Sequence, residues 1–386
     1  GVMSRGLGDV YKRQTYTASS TLSGSDGTGN IDVNATSAVK FQTTDGDITF
    51  ATALIELANG ADLTVDANDT GDISVYGVDV DTLETVTLKT SGSNGAGLLT
   101  VGAGGIGNST RPASDVTLTA STVTLIGDIT TSGTGTGSGA AVKGDVDING
   151  VVKLDGDVHI TTDVGGSTGT ANDGTISIGI LAAGGLSTID AANTGTNTEA
   201  LTLLSGSGAI TVGEIGTLTN GALDTLDINA TGSAAAALTI QQIGLYGNDN
   251  LSSTGTAGVT GAANIGNAAT ASIDLSDTEF NFGGTTAITA VGDVTSDANI
   301  KIKTDENLTI TAGNSATTGF KTTGAAKIFS LADKTLKIVG NIIGVDSGAT
   351  SNETIEFQSG TNAGADDGTI DIAGNRMGSE VSTENK

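Results

Sequence analysis

The sequence predicts an all-β chain wound as a parallel solenoid, and three observations carry that prediction. Apolar–polar–apolar triplets recur along the chain, the stretches between them are turn residues, and the order of strands repeats while the insert lengths vary. Successive Cβ atoms alternate across an extended chain, so each triplet puts two apolar side chains on one face and a polar one on the other.

Taken in order, the triplets are IDV at 31–33, VKF at 39–41, ITF at 48–50, LTV at 63–65, ISV at 73–75 and VTL at 86–88, 116–118 and 123–125. Clusters such as SGSNG at 91–95 separate them, which is turn chemistry. A helical period is hard to find. The segment 52–59 is the best candidate helix, and the alanine-rich 234–237 is a second. Many short strands at this spacing suit a solenoid or, as the alternative, tandem antiparallel β-sandwich repeats.

Internal repetition favours the solenoid. GSTGTANDGTISI at 166–178 returns as GTNAGADDGTIDI at 360–372, and VTLIGDI at 123–129 returns as LKIVGNI at 336–342. The sequence divides into units at 15–135, 136–254 and 255–350, with 351–386 a partial fourth unit and a frayed end. Variable inserts within a constant strand order suit coils that touch only their neighbours and let extra residues bulge into solvent.

Composition sets limits on function. The 386 residues carry 16 Lys and Arg against 43 Asp and Glu, a formal net charge of −27. That balance argues against nucleic acid, whose phosphates need cationic neutralisation, and against insertion at an anionic membrane surface. With 59 Gly, 3% aromatic residues and no Trp, the core is expected to be thin and built of small β-branched side chains. The absence of Cys removes disulfides and thiolate metal sites and does not choose a compartment.

Residues 1–14 do not match the rest. They hold Arg5, Lys12 and Arg13 and have no apolar stretch of signal-peptide length. DVYKRQ at 9–14 resembles a translated sequencing-adapter sequence, so 1–14 is read as a non-native artefact and the chain as a piece of a longer open reading frame.

The remaining motifs resemble those of repetitive bacterial haemagglutinin-like, β-strand-repeat surface adhesins. QTY at 14–16 is similar to the entry of such a unit, and GDITF at 46–50 and GTISI at 174–178 to its third element. LTLLSGSGAITVG at 201–213 and VTLIGDITTSG at 123–133 are similar to its later elements. The resemblance implies a right-handed parallel β-helix stalk, export to the bacterial cell surface or the medium, and structural or adhesive work without catalysis. Its implied partners are glycans or host and abiotic surfaces reached through other parts of a full-length protein, with self-association.

Candidate chemistry is sparse. Asp79 with Asp81, Asp145 with Asp147, and Asp155 with Asp157 are i, i+2 pairs that share a strand face if extended, and Asp45 and Asp47 flank a turn glycine. Paired carboxylates serve polysaccharide lyases or hydrolases on β-helices, or bind Ca²⁺ together with turn carbonyls. Asp145, Asp147, Asp155 and Asp157 are therefore the metal candidates, with Ca²⁺ the only cofactor considered and no catalytic residue assigned. A β-helix enzyme and a calcium-ordered S-layer-like protein stand as alternatives. His159, the sole histidine, is expected to point outward between Val158 and Ile160. Tyr16, Tyr76, Phe280 and Phe282 are sugar-stacking candidates, the last two reading more simply as a buried pair. Lys301, Lys303, Lys321, Lys327, Lys334 and Lys337 form the one basic-enriched region, suited to pairing with acidic neighbours or blunting an edge.

Overall fold

A computed structural model describes residues 14–16, 20–22, 30–44, 46–68, 70–90, 97–132, 144–163, 174–180, 187–193, 198–218, 221–230, 237–245, 255–277, 279–296, 300–315, 317–330, 334–345, 355–359, 368–374 and 377–379. Every regular element among these is a β-strand. The chain forms two compact units, one of residues 1–187 with 204–208 and one of residues 188–203 with 209–386.

In the first unit each coil lays strands on three faces, and each strand pairs in parallel with its counterpart one coil on. Face A stacks Val39, Leu63, Val86, Val116, Val146 and Ile176 in register. Face B stacks Ile48, Ile73, Leu99, Val123 and Val152. Face C stacks Ile31, Ile55, Val78, Ile106, Ile129 and Ile160. Partners lie 23 to 31 positions apart, from Val65 opposite Leu88 to Ile129 opposite Ile160. Each sequence unit of 15–135, 136–254 or 255–350 is thus long enough for several coils.

The parallel pairing overturns the antiparallel sandwich alternative. Sandwich strands return through short hairpins, whereas here every partner sits a full coil away. Apart from half-buried Ile31, the inward columns are buried aliphatic side chains, so like stacks on like and the core needs few large residues. Two aromatics of the first unit are paired: the rings of Phe41 and Phe50 meet edge-on at 5.3 Å.

Several strands turn a corner without a break. Ile48–Leu57 serves faces B and C, and Val116–Leu125 and Val146–Leu154 serve faces A and B. The candidate helix at 52–59 is therefore strand as far as Leu57, with 58–59 in the turn that follows. Ala53, Ile55 and Leu57 point inward while Leu54 and Glu56 do not, a period of two that the short apolar run disguised. Of the second candidate, Ala237 opens the strand Ala237–Ile243, and 234–236 lie outside the described residues. At the corner of Val146–Leu154 sits Gly150, with φ of +129°, where a Cβ would lie 2.1 Å from the carbonyl oxygen of Ala120. Only glycine lets two coils approach so closely there.

The second unit follows the same plan. Ile210, Leu238, Ile273, Val294, Phe320 and Ile342 form one column. Leu226, Ala263, Thr286, Leu308 and Leu336 form another. Ile243, Phe280, Ile302, Ile328 and Phe357 form the third.

Candidate functional site

The polar chemistry of the chain gathers at the corners. The residue just before an inward strand is repeatedly Asp, and its carboxylate accepts the main-chain N–H of the equivalent residue one coil on. Asp47 accepts from Asp72 at 2.9 Å, Asp72 from Leu98 at 2.8 Å and Asp62 from Thr85 at 2.9 Å. Asp115 accepts from Asp145 at 2.9 Å, Asp145 from Thr175 at 2.7 Å and Asp128 from His159 at 2.8 Å. In the second unit Asp293 and Asn307 accept from Gly319 and Thr335, both at 2.9 Å. At a bend the backbone turns out of the strand ladder, and an N–H that loses its carbonyl partner needs another acceptor. A carboxylate supplies a charge-assisted one. The sequence carries the signal, Asp directly before an apolar triplet, but pairing the carboxylates with each other hid it.

The four metal candidates fall into two groups at opposite ends of Val146–Leu154. Asp145 and Asp147 are half-buried and share the outward side of face A, beside Asp115. Asp145 also accepts the Thr175 hydroxyl at 3.0 Å. Burial pushes the Asp147 carboxyl above the usual range, and the charges of Asp145 and Asp115 add to the rise. Burial likewise raises Asp115, opposed by its hydrogen bond from Asp145. Asp155 and Asp157 are exposed and lie in the turn that follows, on either side of Gly156, so they are not the strand pair their spacing suggested. Among the described residues no group of three or more His, Asp or Glu side chains is arranged to hold a metal ion.

The other candidates find separate places. Asp79 pairs with Arg111 at 3.0 Å and accepts from Asn108 at 3.0 Å, while Asp81 stands in an exposed loop. Asp45 lies outside the described residues, and Asp47 is one of the corner acceptors. His159 is exposed between buried Val158 and Ile160. Phe280 and Phe282 are fully buried, Tyr76 is 38% exposed, and the side chain of Tyr16 lies outside the described residues. The lysines do pair with acids: Lys321 with Asp293 at 3.1 Å and Lys334 with Glu306 at 2.6 Å join coils, and Lys303 meets Asp305 at 3.1 Å. Lys337 lies 3.6 Å from Asp371, while Lys301 and Lys327 stand in register with Glu279 and Glu356.

Four buried carboxylates among the described residues escaped the sequence reading, Asp66, Glu84, Asp190 and Glu199. Glu84 accepts the N–H groups of Gly60, Asp81 and Thr82 at 2.8 to 2.9 Å. Asp66 sits between Lys40 at 3.1 Å and Lys89 at 3.8 Å. No motif announced Glu84 or Asp66, because Gly60, Lys40 and Lys89 lie a full coil away in sequence and the nearer donors of Glu84, Asp81 and Thr82, are main-chain groups that any residue could supply.

These features define a class, the parallel β-solenoid with acidic corner acceptors. No family model, curated protein or solved structure matches the chain.

Proposed function

We propose that the chain is a structural and adhesive stalk segment of a large, repetitive surface or secreted protein, and that it performs no catalysis. The observation that carries this reading is the use made of the carboxylates. One after another they accept main-chain N–H groups from the next coil, so the acidic side chains serve to hold coil upon coil. A scaffold so built is rigid because each coil is bonded to both neighbours, and it extends by adding coils.

The test displays the chain on cells that lack other adhesins and measures their retention under flow on glycan-coated and host-cell surfaces. Retention above that of cells displaying an unrelated β-rich domain is expected. Release of reducing ends from a panel of neutral and acidic glycans, abolished by Asp155→Ala, would replace this reading with a polysaccharide-active enzyme.

A further inference from the structure

The three faces of the first unit differ in charge. Face C carries a column of stacked carboxylates, Asp32, Glu56 and Asp79, in register on successive coils. Face A mixes signs, with Lys40, Asp66, Lys89 and Asp147 among its polar positions. Face B is different. Its outward column reads Thr49, Ser74, Thr100 and Thr124 over four coils before Lys153 introduces a charge on the fifth. Along one margin of the face, Leu98, Thr122 and Val151 continue in register the column that Asp47 and Asp72 open. Among the described residues its carboxylates are confined to the margins, at Asp47, Asp72 and Asp155.

Two large side chains stand exposed at the edges of this face, Leu98 at 51% beside Asp72 and Tyr76 at 38% at the corner where the strand passes to face C. The coil after Tyr76 places Gly102 against it, where a Cβ would lie 2.8 Å from the Tyr76 carbonyl oxygen. Glycine is required by that approach, and position 102 itself places no side chain over Tyr76.

We infer that face B of the first unit is a docking face for an uncharged polysaccharide chain, an inference that rests on the adhesive reading above. In a chain of net charge −27, a sheet face whose centre holds no carboxylate is the place where a neutral polymer escapes desolvating a charge. Hydroxyls repeat along it at the coil spacing of about 4.8 Å and both donate and accept, as a sugar's hydroxyls do. Tyr76 adds an amphipathic ring for the flat apolar face of a pyranose. An anionic polymer would meet the protein's own charge, and a cationic partner would choose face C.

The experiment uses the purified chain and three insoluble or gelled matrices: microcrystalline cellulose, chitin and calcium alginate. Retention on cellulose or chitin in excess of alginate is expected. Tyr76→Ala and, separately, Thr100→Asp should each lower the retained fraction at least tenfold while the far-ultraviolet circular dichroism stays that of the parent. Glu56→Gln, on face C, should leave it unchanged. Equal retention on alginate, or equal loss with Glu56→Gln, would overturn the inference. So would loss of self-association in solution on Tyr76→Ala without any polysaccharide effect, which would make a second copy the occupant. Absence of retention on both neutral matrices would also overturn it, yet leave retention under flow, and with it the stalk reading, standing.

Discussion

Glu84 shows how this chain meets buried charge at the scale of one residue. It is 2% exposed, and three main-chain N–H groups converge on its carboxylate. Glu84→Ala strands those donors, and unsatisfied N–H groups cost about 1–3 kcal/mol in total when water reaches some of them. A drop of that size in urea-unfolding free energy is expected, and an unchanged midpoint would show that the loop re-forms its bonds elsewhere. Asp147 is the opposite case. Its native carboxyl is held above 3.8 by burial and by neighbouring acids. A native group that binds its proton more readily than the unfolded chain weakens the fold while ionised, and the penalty fades as pH falls through the raised value. Asp147→Asn is therefore expected to stabilise the protein at pH 7, by a margin that shrinks as the pH is lowered towards that of an ordinary carboxyl. Urea titrations across that range check it; a margin independent of pH would contradict the assignment.

At the scale of the strand, stability comes from inward columns and from corners that let coils close up. Leu118 lies in the middle of its column, between Leu88 and Ile148, and is fully buried. Leu118→Ala is expected to cost about 2–5 kcal/mol, the usual range for a large-to-small change in a packed core. Gly150 tests the corner. Gly150→Ala must hold φ near +129° and place a methyl 2.1 Å from the Ala120 carbonyl oxygen. Strained backbone of this kind costs about 1–3 kcal/mol before the clash is counted, so the variant should melt well below the parent. The same change at Gly60, where φ is +84° but the nearest atom is 3.7 Å away, should be milder.

At the scale of the whole molecule, contacts run from coil to neighbouring coil, which makes stability a sum of local terms. Leu118→Ala should therefore loosen its own coil and the adjacent ones in the first unit and spare distant ones. Hydrogen exchange read by peptide mass spectrometry would show protection lost around Leu88 and Ile148 but kept around Val39. Uniform loss along the unit would mean that it unfolds as one body.

What was legible before the structure follows from range. The triplets announce themselves within three residues, because side-chain alternation is a local property of extended backbone. The outward setting of His159 and the burial of Phe280 and Phe282 follow from the same rule. The corner acceptors did not show, since Asp115 looks like any surface acid until the coil carrying Asp145 is laid beside it. The strand at 52–57 was misread because a brief apolar run fits either period. By itself, then, the sequence determined that this chain is extended, two-sided and repetitive, as nearest-neighbour sterics and hydrophobic alternation are written residue by residue. Only the tertiary structure decided between the parallel solenoid and the antiparallel sandwich, which carboxylates meet which N–H groups and which face keeps its carboxylates at the margins. Those depend on residues 21 to 37 positions apart being brought into register, from Ile273 opposite Val294 to Leu226 opposite Ala263.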